Sequence, residues 1–251
     1  MQKRAMLVLI ITIFTLTSWS QESWLTYYEK SGKVETPRYE ATIDYARRLA
    51  DASGMITFKS FGTSQRGREL PMLILDRDGL DQPTDIRRAG RIILFVEACI
   101  HPGESEGKDA GLMLFRDIAI HGKYATLLEN VSILFIPIVN VDGHERFSAY
   151  NRINQNGPKE MGWRCTANNL NMNRDFLKAD TKEMRHWLKL FDKWMPEFFM
   201  DIHTTDGADY QYVITYAVEN FGNMLWPGWS LTAVRCFHMS VSGDGTIHGV
   251  V

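Results

Sequence analysis

The chain has 251 residues, 45% of them hydrophobic and 23% charged, with a net charge of −2. That is the profile of a globular protein with room for a sizeable core, in one large domain or two small ones. The near-neutral balance gives no basic surface for nucleic acid or an anionic membrane, and there is no internal repeat or low-complexity tract.

Lys3 and Arg4 precede an apolar run over residues 5–16, and Ser18-Trp19-Ser20 puts small residues at −3 and −1 before Gln21. This is the pattern of a signal peptide over residues 1–20, cleaved after Ser20, and it predicts a secreted or periplasmic protein. The run is shorter than the roughly 20 residues a membrane span needs, and no later stretch is long enough. Of the three cysteines, Cys99 lies in an apolar strand pattern and reads as a small buried hydrophobe. None has C-x-x-C spacing, and three is too few for a disulfide framework.

Thr36-Pro37 predicts a helix start, with Tyr39, Ile43, Ala46, Leu49 and Ala50 on one apolar face and a stop at Gly54. Residues 55–61 and 70–75 read as strands around the Gly-bounded turn Gly62-Thr63-Ser64-Gln65-Arg66-Gly67-Arg68. Residues 76–90 read as a charged loop, and 91–100 as a strand apolar on both faces. A helix over 108–121 and a buried strand over 131–139 follow, then Asn140-Val141-Asp142-Gly143. The irregular stretch 145–178 is long enough to suggest a functional loop. Asp180-Thr181-Lys182-Glu183 resembles a capping box before an amphipathic helix carrying Met184, Trp187, Leu188, Phe191, Trp194 and Met195. Strands leading to His203 and over 210–218 close the pattern. Alternating strands and helices predict an α/β fold, a mixed, largely parallel central sheet with helices on both faces. In such sheets ligands bind beyond the carboxyl ends of strands, where His101, Asn140 and His203 fall.

His101-Pro102-Gly103-Glu104 follows the apolar run Ile92-Ile93-Leu94-Phe95-Val96. A His and a Glu three apart on a turn can converge on one cation, and imidazole with carboxylate suits Zn²⁺. His203, at the end of Phe198-Phe199-Met200-Asp201-Ile202, is the candidate third ligand. Asp206 and Asp209 read either as carboxylates supporting His203 or as turn residues beside Gly207. Arg164 after Trp163, and Arg174 after Asn173 in an asparagine-rich cluster, offer guanidinium forks that match carboxylates and oxyanions.

Together these motifs resemble the zinc carboxypeptidases related to carboxypeptidase A: the Gly62–Arg68 turn, His-Pro-Gly-Glu, Asn140-Val-Asp142-Gly143, Trp163-Arg164, Asn173-Arg174 and the Ile202-His203 strand end. The resemblance spans roughly residues 39–217. It implies zinc on His101, Glu104 and His203, with Arg164 stabilising the oxyanion and Asn173 and Arg174 holding the substrate's free carboxylate. It also implies hydrolysis of the last peptide bond of a peptide or of a peptidoglycan stem peptide. The family's glutamate base and tyrosine belong to a late strand that this spacing puts beyond Val251. Residues 21–224 therefore read as a catalytic domain short of its last strands, and 225–251 as an atypical tail with only Arg235 and Asp244 charged. Two further readings stand beside this one: an inactive zinc or peptide binder, and an aspartoacylase-like zinc amide hydrolase with a similar His-x-x-Glu.

Overall fold

The protein is described here by a computed structural model covering residues 24–205, 214–218 and 235–241. Residues 1–20, read from the sequence as a signal peptide, lie outside the described residues, as do Asp206, Asp209 and most of the 225–251 stretch. Strands β1 (Ile56–Thr63), β2 (Glu69–Leu75), β3 (Ile92–Glu97), β4 (Val131–Ile136), β5 (Phe198–Thr204), β6 (Ile214–Val218) and β7 (Arg235–Val241) form one sheet, ordered β1-β2-β4-β3-β5-β7-β6. β4, β3, β5 and β7 run parallel; the β1–β2, β2–β4 and β6–β7 pairings are antiparallel. The sheet is parallel in its middle and antiparallel towards both edges. β7 falls in residues 225–251, where the sequence pattern identified no element.

The helices are α1 (Tyr27–Lys30), α2 (Tyr39–Ala52), α3 (Pro83–Arg88), α4 (Glu106–Ala119), α5 (Val141–His144) and α6 (Lys182–Trp194). Successive strand side chains point to opposite faces, and β2 and β4 divide accordingly. Leu73, Leu75, Ile133 and Phe135 pack with Ile43, Ala46 and Leu49 of α2 and Leu112, Phe115 and Ile118 of α4. Met72, Ile74, Leu134 and Ile136 face the other way, onto Ile86 of α3 and Met184, Trp187 and Trp194 of α6. On that side the Trp187 and Phe191 rings stack at 4.9 Å, with Phe95 and Phe199 against them.

Local chemistry departs from the sequence reading in three places. Thr36 does not cap α2, which starts at Tyr39 with no side-chain cap. Its hydroxyl donates instead to the buried Asp109 (2.7 Å), while Pro37 offers its carbonyl to Lys108 Nζ (2.7 Å). Residues 83–88, read as loop, form α3 with Pro83 in its first turn, where the missing N–H costs nothing. Thr181, not Asp180, caps α6, accepting from Met184 N (3.1 Å); that puts Met184 at the third helical position, so no capping box can close, and Glu183 is free to accept from Gln65 N (2.9 Å).

Candidate metal centre

β3 and β5 are parallel neighbours, so their carboxyl ends lie side by side. Beyond β3, Cys99 takes a left-handed φ of 56°, which costs a non-glycine residue about 1 kcal/mol. The chain then turns at Pro102-Gly103, and Glu104 N donates back to His101 O (2.9 Å). That turn brings the two side chains of the His-x-x-Glu motif together, with His101 Nδ1 at 3.0 Å from Glu104 Oε1. From β5, His203 Nδ1 lies 2.7 Å from Glu104 Oε2. One donor atom from each of His101, Glu104 and His203 lies within 4.8 Å of the others, and all three residues are buried.

The donor set fits zinc: two imidazole nitrogens and one carboxylate oxygen, in a buried cluster built by two strand ends. His203 Nε2 is held by Asp201 Oδ2 at 2.7 Å, the outward hydrogen bond that fixes a ligand imidazole's tautomer. His101 Nε2 is buried and has no hydrogen-bond partner among the described residues. Burial lowers the His101 pKa below its ordinary value, with Glu104 only partly offsetting it, and so favours the neutral, ligating form. Burial also opposes charge on His203, but its bonds to Asp201 and Glu104 prevail and raise it to about 9. Burial likewise works against ionised Glu104, yet the two histidines hold its carboxyl well below the ordinary range.

Arg164 reaches the cluster, its Nη1 3.9 Å from Glu104 Oε1 and its side chain one-third exposed. Its place is set by the turn after β4: Asn140 Nδ2 donates to Arg164 O (3.4 Å), and Trp163 N donates to Gly143 O (2.9 Å). A Cβ on Gly143 would stand 2.4 Å from Cys165 O and 2.7 Å from Trp163 O, so only glycine admits this strand of chain. Asn173 also borders the cluster, with Nδ2 at 3.4 Å from His203 Nε2. Arg174 does not join it; its exposed guanidinium turns back to Asn173 O (2.5 Å).

Three further residues went unnoticed in the sequence. Arg152, from the long loop, sets Nη1 2.8 Å from Glu104 Oε1. Its stem crosses Gly103, where a Cβ would come within 2.7 Å of Arg152 Cγ. Asp201 and Glu97 are acids inside the apolar runs that lead to the two histidines. A single charge in an otherwise apolar strand was the signal that could have found them.

Residues 42–208, more than half of the chain, match the zinc carboxypeptidase family. Carboxypeptidase 2 of Trichophyton rubrum is 29% identical over 168 residues, covering 66% of this chain and 28% of that protein. Carboxypeptidase 2 of Trichophyton tonsurans is 27% identical over 170 residues with the same coverage. Among solved structures, a metallo-carboxypeptidase from Burkholderia cenocepacia superposes with a TM-score of 0.55 at 19% identity, over 76% of this chain and 46% of that one. One from Pseudomonas aeruginosa, in complex with (2-guanidinoethylmercapto)succinic acid, gives 0.55 at 20% identity, over 76% and 45%. The structures share the fold, and the chain spans under a third of the length of the curated relatives it matches. The chain belongs to the zinc carboxypeptidase family.

Proposed function

We propose that this chain carries the metal centre of an exported zinc metallocarboxypeptidase, which hydrolyses the C-terminal bond of peptides or peptidoglycan stem peptides. The observation that carries the reading is the buried His101–Glu104–His203 cluster at the ends of two adjacent parallel strands. Those three residues would hold the zinc, which when bound polarises a carbonyl and acidifies water. Arg164, beside Glu104 and partly exposed, is placed to stabilise the developing oxyanion. Arg174 presents an exposed fork for the terminal carboxylate, with Asn173 between it and His203. Export rests on the basic-apolar-small pattern of residues 1–20.

The test is cleavage of a blocked dipeptide by the mature chain, with bound zinc quantified in the same sample and a chelator control. Chelator-sensitive release of the terminal residue with about one zinc per chain would support the proposal and show that a general base lies within this chain. Turnover that survives complete zinc removal would overturn the proposal. Full zinc without turnover would favour the inactive binder, and preferential cleavage of an N-acyl amino acid the aspartoacylase-like hydrolase.

A further inference from the structure

Glu97 on β3 is the register partner of Asp201 on β5. Strand alternation sets both on the α6 side of the sheet, after Ile93, Phe95 and Phe199 of that core. Glu97 is fully buried and Asp201 is 8% exposed. Each carboxyl has one oxygen engaged: Glu97 Oε2 accepts the indole N–H of Trp187, and Asp201 Oδ2 meets His203 Nε2 at 2.7 Å. The other two, Glu97 Oε1 and Asp201 Oδ1, have no hydrogen-bond partner among the described residues. Stability does not explain the arrangement, since well-packed apolar residues in place of buried charges are commonly neutral or stabilising. Register pairing on one face of the sheet sets the two carboxyls side by side in the same buried layer.

We propose that Trp187, Glu97 and Asp201 form a positioning chain behind the metal centre. Asp201 fixes the His203 ring with Nε2 turned away and Nδ1 towards Glu104, and Glu97, pinned by the indole, holds Asp201 in that pose. The proposal rests on the zinc reading above. None of the three belongs to the His101–Glu104–His203 cluster, so their effect is on how well His203 is presented.

The experiment is zinc affinity of the full mature chain, by competition with a chromophoric chelator, alongside the melting temperature of the chelator-treated protein. Asp201→Ala should weaken zinc about 10- to 100-fold and Glu97→Met about tenfold, whereas Glu97→Gln should stay within about threefold of wild type. Glutamine keeps an acceptor for Trp187 and can donate to Asp201; methionine keeps only volume. A merely structural role would move the melting temperature with the affinity, and glutamine would show no selective rescue of zinc binding. Should Glu97→Met fail to fold, Trp187→Phe removes the indole donor and keeps an aromatic ring in the core, and loss of zinc affinity beyond any shift in melting temperature there supports the chain. Wild-type affinity in Glu97→Met, or in Trp187→Phe if that variant is needed, overturns the chain while leaving the zinc reading intact. A wild-type protein that binds no zinc takes down both.

Discussion

His144 offers a test of the fold that does not depend on metal. The residue is fully buried at the end of α5. Its Nδ1 lies 3.1 Å from Glu145 Oε1 and its Nε2 3.3 Å from Lys108 Nζ. The ammonium can only donate, so the neutral ring accepts at Nε2 and donates from Nδ1 to the carboxylate. A second proton would set an imidazolium against the ammonium. Burial, with Lys108 adding to it, pulls the pKa down from 6.5 to about 4, against the opposing pull of Glu145. The unfolded chain then takes up a proton near pH 6.5 and the folded chain only near pH 4, so acid favours unfolding between the two. The contribution is present in full above pH 6.5, and about 3 kcal/mol of it is lost as pH falls through that window to about 4. The measurement is urea unfolding of chelator-treated wild type and His144→Gln, followed by tryptophan fluorescence. From about pH 7.5 to about pH 5 the wild type should lose about 2 kcal/mol more than the variant, since glutamine takes up no proton. Ionisations common to both proteins cancel in that difference. Parallel pH profiles would refute a neutral His144 braced against Lys108.

Glu104→Ala should abolish stoichiometric zinc, whereas Arg174→Ala should keep it and raise KM for substrates with a free terminal carboxylate by about 10- to 100-fold, the worth of a charged hydrogen-bonded pair; full zinc in Glu104→Ala refutes the ligand assignment. Gly143→Ala should displace the Trp163–Cys165 carbonyls and with them Arg164, lowering kcat/KM about 100-fold with zinc retained; unchanged kinetics would show that Arg164 is not held from this turn. Asp142→Asn should cost about 2 kcal/mol in chemical unfolding, a value reduced because its partner Arg68 is one-third exposed; a loss below roughly 0.5 kcal/mol would show that the turn it anchors stands without it.

The two-faced sheet was legible because strand alternation writes itself into β2 and β4: every residue from Leu70 to Leu75 is buried, and over the last four Leu73 and Leu75 enter one core while Met72 and Ile74 enter the other. The nearness of His101, Glu104 and His203 was legible because the end of an apolar run marks the end of a strand, and strand ends are where polar groups can face one another. What escaped was side-chain competition. Thr36 carries a cap signature, yet its hydroxyl serves Asp109 73 residues away. Glu183 is three residues after Asp180, but Thr181 takes the cap instead, and the Glu183 carboxylate serves the backbone of Gln65 118 residues away. Local propensity cannot register a distant donor. Arg152 escaped for a related reason, since nothing near it in the loop points to Glu104.

The spread of the motifs has its own physical logic, and Asp142 shows it. Its Oδ1 takes Ser64 Oγ (3.0 Å) and Arg68 Nη1 (2.7 Å), and its Oδ2 takes Arg66 N (2.9 Å). The Gly62–Arg68 turn and the Asn140–Gly143 turn, which sequence presents as separate motifs, are therefore the donor and acceptor halves of one buried site. Asn140 in the same turn holds the Arg164 backbone, and Gly143 leaves room for it. A residue remote from the cluster thus fixes the path of the chain that carries Arg164, whose guanidinium reaches Glu104. The same reasoning applies on the other side of the cluster, where Trp187 reaches Glu97 and Asp201 reaches His203. The clustered groups His101, Glu104 and His203 sit at or just beyond the carboxyl ends of β3 and β5; charge is buried beneath them, and a lone acid in an apolar strand is the mark it leaves in a sequence.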